Sequence, residues 1–301
     1  MAHSSDLPPP PPKPHQQSRQ RSSNSQCKSR RLGHFSEVPE HQRRDFIVGY
    51  YRLQTPCLAH FYTWHNETLN IWTHLLGMVF FLYRAWSRVI SQLSEHGSLL
   101  AVSAPMYSIL VWMLLGSTIQ CMLTSTIFHY RQCTCRKEFE CYLCLDQSGI
   151  LSLIACSYAA GITMAFSCTP GLQMVYLIHT AANIVGMSSS LTFSALVDYR
   201  RYIFLTCGLS GVIPCLHWSL IASPVALEVL GLNIGLMCGF YIIGAYFYAT
   251  LYPEKWRPGA FDLVGQSHQI WHVFVFLAAA VYLEGIFQAH DAVLNDSRFC
   301  S

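Results

Sequence analysis

The stretch SHQIWHVFVFLAAAVYLEGIFQ, residues 267–288, decides the fold. It carries one charged residue, Glu284, and at about 1.5 Å of rise per residue it crosses roughly 30 Å of hydrocarbon as a single helix. Its two histidines, His268 and His272, stand four residues apart and therefore share a helical face at one end. Six further apolar runs of this kind precede it: Leu69–Ser87, Tyr107–Tyr130, Cys141–Phe166, Leu172–Leu196, Tyr202–Ala222 and Val225–Leu251. The expected architecture is an all-α membrane protein, a bundle of seven transmembrane helices. Composition points the same way: 52% of the 301 residues are hydrophobic and 12% charged, about half the charged share of a soluble domain.

Outward from the spans, residues 1–45 read as a disordered tail. The run Pro8–Pro12 and the Gln, Ser, Lys and Arg that follow cannot bury enough apolar surface to offset chain entropy. Such a tail either stays solvated or docks a cytosolic partner through its prolines. Residues 46–66 mix aromatic and polar side chains and read as an interfacial lead-in. Residues 67–288 form the seven-helix domain, and residues 289–301 a short outer tail. No signal-peptide core precedes the first span, which is therefore expected to act as its own insertion signal. With the N-terminus inside, sixteen of the nineteen Lys and Arg fall on the cytosolic side, and only Arg84, Arg88 and Arg298 lie outside. The positive-inside rule thus predicts a cytosolic N-terminus and an outer C-terminus, the reverse of the usual seven-helix receptor plan.

Imidazoles and carboxylates inside spans are costly, so each is a functional candidate until it is given a partner. Under this topology their depths coincide. Glu67, Asn70 and His74 lie at the cytosolic start of the first helix, Ser125 and His129 at the cytosolic end of the second, Asp146 about one turn into the third, and His268 and His272 at the start of the seventh. Three neutral imidazoles with an open fourth position describe a catalytic type of zinc site, in which bound water has its pKa lowered to about 7. His129, His268 and His272 are the candidate ligands. Asp146 is the candidate base for such a water. Glu67, Asn70 and His74 are read as groups that support the ligands or begin the helix. A lone histidine is ordinarily a hydrogen-bonded interfacial residue; the shared depth is what favours a site here.

His179 and His217 lie deeper, in the fourth and fifth spans, and are expected to satisfy helix–helix hydrogen bonds. His60 and His65 are expected to be interfacial. Cys133, Cys135, Cys141 and Cys144 resemble a zinc knuckle by spacing, although helical cysteine is commonly a small apolar filler. Gly208-x-x-Gly211 is expected to pack against a neighbouring helix of the bundle. No Ser-His-Asp elbow, P-loop or dinucleotide glycine fingerprint is present, and no nucleic-acid-binding fold surrounds the basic tail.

Four motifs in order, Glu67-Thr-Leu-Asn70-Ile-Trp-Thr-His74-Leu-Leu-Gly, Ser125-Thr-Ile-Phe-His129, Asp146-Gln-Ser-Gly-Ile and Ser267-His268-Gln-Ile-Trp-His272-Val, resemble the progestin and adipoQ receptor family, which includes the haemolysin III-type proteins. The resemblance covers roughly Phe46 to Gln288. It implies a zinc ion held by His129, His268 and His272, with Ser125 and Asp146 beside it. Pro253-Glu-Lys-Trp-Arg-Pro-Gly259 and Gln266-Ser-His-Gln269 look most like the adiponectin-receptor branch and its Golgi-tethering relative. Gln147 stands where the adiponectin branch commonly has tyrosine. The implied function is a multi-pass receptor or signalling protein of the plasma membrane or Golgi, meeting a protein ligand on its outer face. A zinc-dependent lipid amide hydrolase, similar to the alkaline ceramidases and acting on ceramide to release fatty acid, is the alternative. A membrane scaffold for cytosolic partners is the third.

Overall fold

The structure, a computed structural model, describes residues 32–53, 56–96 and 105–300. Among these, seven helical segments cross the long axis of the molecule. They are α1 (Thr68–His96), α2 (Pro105–Arg131), α3 (Arg136–Ala165), α4 (Pro170–Thr192), α5 in two pieces (Arg200–Ser210 and Val212–Ile221), α6 (Pro224–Thr250) and α7 (Ser267–Asn295). Prolines open α4 and α6, where the missing N–H has no helical partner to lose. Ser223 caps α6 by accepting from the Ala226 N–H at 3.0 Å.

Five of these segments are long and apolar enough by themselves to cross a membrane. The exceptions are α1, which carries Asn70, His74, Arg84 and Arg88, and α4, diluted by Gln173, His179, Asn183 and Ser188–Ser190. α7 is the central helix and touches α1, α2, α3 and α6. Half of its most apolar window is buried in the protein, against 11% for α6, which leaves α6 mainly to lipid. Leu114, Leu115, Met122, Met164, Leu283 and Ile286 form the middle of the shared core. At the break in α5, a side chain on Gly211 would press on the Tyr158 hydroxyl of α3, which donates to the Cys207 and Gly208 carbonyls at 2.7 and 2.9 Å. Of the pair Gly208-x-x-Gly211, Gly211 therefore packs within the bundle, whereas a side chain on Gly208 would meet open space.

Two boundaries differ from expectation. Residues 32–45 are ordered: Leu32–Gly33 pairs antiparallel with Tyr51–Arg52, and Val38, Ile47 and Tyr51 make a small apolar core. The reading of disorder failed from Leu32 onward because the partner strand lies in the lead-in, beyond the low-complexity stretch that set the composition. Residues 32–53 and 56–66 form a cap at the end of the bundle where α1 begins. Within it Tyr62 and Trp64 are exposed, as an interfacial segment requires, but His60 and His65 are buried. At the opposite, tail end, α7 continues to Asn295 and a turn at Ser297–Cys300 folds back. Cys300 is disulfide-bonded to Cys168, and Phe299 is buried beside a cavity of about 110 Å³ lined by Trp218 and Ser223.

Candidate metal centre

His268 and His272 occupy the first turns of α7, whose start is fixed by Glu254. That carboxylate accepts the Ser267 N–H at 2.7 Å and also the Ser267 hydroxyl. Gln269 accepts the Gly265 N–H at 2.7 Å and reinforces the same turn. His129 ends α2. The ligand atoms of His129, His268 and His272 all lie within 4.8 Å of one another, and among the described residues this is a group able to hold a metal ion.

Hydrogen bonds fix which nitrogen two of the rings, His129 and His272, offer. His129 Nδ1 lies 2.9 Å from a Glu67 carboxylate oxygen. Since a carboxylate oxygen only accepts, Nδ1 carries the proton and Nε2 has the lone pair. That Nε2 is buried and without a partner. His272 Nδ1 faces the Asn70 carbonyl at 3.2 Å and the Thr73 hydroxyl at 3.2 Å. The carbonyl again forces a proton onto Nδ1 and frees Nε2. This orientation by carboxylate and main-chain carbonyl is the usual support of metal-binding imidazoles. The donor set therefore fits an ion that prefers nitrogen ligands.

The remaining expected residues fall around this trio. Glu67 and Asn70 are fully buried, and the Asn70 amide donates to Glu67 at 2.6 Å. His74 stacks on His272 with centroids 3.7 Å apart, and neither of its nitrogens has a partner. Ser125 is buried on α2, and the half-buried Asp146 of α3 lies against it, outside the three-imidazole group. Gln147 is engaged elsewhere, accepting from Arg200 at 2.7 Å. His217 meets the Tyr176 hydroxyl at 2.7 Å, and His179 meets Asn183 at 3.2 Å. Cys133, Cys135, Cys141 and Cys144 are free and join no metal-ligating group among the described residues.

Two arginines that the sequence reading counted only as cytosolic charge prove to belong to the site. Arg44 forms a salt bridge to Glu67 at 2.6 Å. Arg52, 4% exposed, donates to the His129 carbonyl at 2.7 Å and to the Tyr130 carbonyl at 2.9 Å. The signal that points to them is Glu67 itself, since a buried carboxylate requires a cation.

Comparison with known proteins gives consistent matches. Residues 62–283 match the haemolysin-III related family. Heptahelical transmembrane protein 3 of Arabidopsis thaliana is 32% identical over 84% of this chain and 86% of its own length. Heptahelical transmembrane protein 1 of the same plant is 32% identical, over 84% and 79%. The adiponectin receptor protein of Drosophila melanogaster is 34% identical, over 84% of this chain and 58% of its own.

Proposed function

Because this chain belongs to the haemolysin-III related family, we propose that it is a multi-pass membrane receptor of the adiponectin-receptor type, with a zinc ion held by His129, His268 and His272. The observation that carries the receptor reading is its 34% identity to the Drosophila adiponectin receptor protein. Zinc is chosen because it suits neutral nitrogen ligands and tolerates an open fourth position. The cap end faces the cytosol in this reading, which the sixteen-to-three distribution of Lys and Arg supports. The tail end then meets the protein ligand, and the Pro-rich sequence of residues 1–31, which lies outside the described residues, is the candidate for a cytosolic partner. The membrane of residence is the plasma membrane or the Golgi.

In this reading, Glu67 holds the His129 tautomer, the Asn70 carbonyl holds that of His272, and His74 fixes the His272 ring by stacking. The ion would pin α2 to α7 and supply a bound water of pKa about 7. Purified protein should contain about one zinc per chain, and cells expressing it should bind adiponectin at the face that carries Ser301. Absence of saturable binding above that of untransfected cells overturns the ligand. An N-terminal tag stained on unpermeabilised cells overturns the orientation.

A second reading, a zinc-dependent hydrolase of lipid amides such as ceramide, is favoured by one arrangement: Asp146 of α3 lies against Ser125 of α2, one helical turn before the ligand His129, and outside the three-imidazole group. Asp146 would take the proton of the attacking water, and Ser125 would donate to the developing oxyanion. The test is Asp146→Asn. Retained zinc with ceramide hydrolysis lowered at least about a hundredfold supports the enzyme. Lost zinc makes Asp146 a ligand or its support, and no zinc-dependent fatty-acid release by the parent removes the hydrolase reading.

A further inference from the structure

We propose that the cap is a clamp seated on the metal centre, with Arg44 and Arg52 as positioning residues for His129, so that metal occupancy and cap docking strengthen one another; this rests on the metal reading above. His129 is gripped from the cap by two separate routes. One runs through its side chain: Arg44 to Glu67 at 2.6 Å, then Glu67 to Nδ1 at 2.9 Å. The other runs through its main chain, where Arg52 binds the carbonyls of His129 and Tyr130 that the end of α2 leaves without helical partners.

The cap also docks on the bundle by contacts away from the metal centre, among them Gly259 N–H to the Phe46 carbonyl at 3.2 Å, Gln266 to the Asn66 carbonyl at 3.0 Å and Phe61 stacked on Tyr130. Its own apolar core is Val38, Ile47 and Tyr51 with Leu53 packed against them, far too small to fold independently. Its order comes from docking: Asp262 in the α6–α7 loop accepts the Val48 and Gly49 N–H groups at 3.0 and 2.6 Å, and Gln42 donates to the Thr134 carbonyl at 3.0 Å. Among these attachments, the two arginines are the ones that reach His129 and its carboxylate partner.

The coupling has a direct physical basis. When His129 Nε2 is engaged by a cation, its Nδ1–H becomes a stronger donor to Glu67. Glu67 is then held in one orientation and presents its oxygens to Arg44. When Nε2 is free, the ring is less constrained, Glu67 loses a fixed partner and the place of Arg44 loosens. Because coupling between binding events is reciprocal, undocking of the cap must weaken metal binding by the same factor that metal loss weakens cap docking, and removal of Arg44 should weaken metal binding by part of that factor. Such a clamp carries the state of the intramembrane centre to the segment from which residues 1–31 extend.

Both directions are measurable on the full-length protein in detergent. Zinc-loaded and chelated samples are digested with trypsin, and cleavage after Arg43, Arg44 and Arg52 is followed by mass spectrometry, with the exposed Arg136 as an internal reference. Chelation should raise cleavage in the cap about tenfold relative to Arg136, and zinc should restore protection. Conversely, Arg44→Gln should raise the zinc Kd about tenfold and shift the visible spectrum of the cobalt-loaded protein, while Arg44→Lys recovers part of the loss. Equal cap cleavage with and without zinc, or a Kd within about twofold of the parent for Arg44→Gln, overturns the clamp and leaves the metal centre standing. A parent that holds no zinc removes both. Should Arg44→Gln not fold, the digestion of the parent decides alone.

Discussion

The two ends of the bundle are held in different ways. At the cap end, Arg44, Arg52, Glu67, Asn70 and His74 converge on His129 and His272, and the buried atoms without partners include His129 Nε2, Asn70 Oδ1 and both nitrogens of His74. At the tail end the fastenings are a disulfide, an ion pair and a cluster in which Arg88, Asp291, His290 and Ser108 share partners. The Cys168–Cys300 disulfide ties the chain terminus to the end of α3, Arg84 pairs with Glu284, and Arg88 with Asp291, while His290 meets Ser108 at 3.0 Å. Contacts that share partners are energetically coupled, so each end should couple within itself, while contacts at opposite ends should add. The cap end is built around unpartnered imidazole nitrogens, and the tail end around a covalent link.

The comparison breaks most sharply at His268 and His272. Their double replacement by alanine should abolish metal binding and destabilise the cap end, while leaving the Cys168–Cys300 bond formed; His179→Ala should leave zinc content intact. Full zinc in the double variant would remove the asymmetry. Next in size is Cys300→Ser, expected to cost about 3 kcal/mol of tail-end stability through lost loop closure, with the zinc Kd unchanged. A change in zinc affinity there would show that the ends communicate.

Acid should act on the cap end through His65. Burial holds its pKa down at about 3, whereas the unfolded chain has it near 6.5. Below pH 6.5 the unfolded state takes up the proton and the folded state does not, so stability present at neutral pH is lost as pH falls toward 3. The loss by pH 5 is about 2 kcal/mol. Its structural cause is that Nδ1 accepts the Glu67 N–H at 3.1 Å and cannot do so once protonated. Thermal melts of the parent and His65→Asn between pH 7 and 5 check this; identical slopes would exclude His65 as the source. The smallest effect is expected at Glu284→Gln, where the partner pair is partly exposed at 28% and 45% and the change should be about 0.5 kcal/mol.

Much of the cap end was legible in the sequence, and most of the tail end was not. The shared depth of His129, His268 and His272 follows from span boundaries alone, because histidine in an apolar run is conspicuous. Arg44 and Arg52 escaped notice because a rule that counts positive charge says nothing of where each guanidinium points. The order of residues 32–45 was hidden because its stabilising strand, Tyr51–Arg52, lies on the far side of a segment with no periodic pattern. Cys168 and Cys300 are separated by 132 residues, and only the return of the chain after Asn295 brings them together.

The pairing of α1 with α7 also constrains how the protein is made. Arg84 meets Glu284 two hundred residues later in the chain, and Arg88 waits 203 residues for Asp291. At about 5–20 residues per second, the first helix must remain in the insertion machinery's neighbourhood with unmatched guanidinium groups for roughly 10–40 s before its counter-ions are synthesised. Truncated chains ending before Glu284 would never receive them. The α1–α7 pairing can therefore form only when translation is nearly finished, and a ribosome stalled in α6 would leave Arg84 and Arg88 without Glu284 and Asp291.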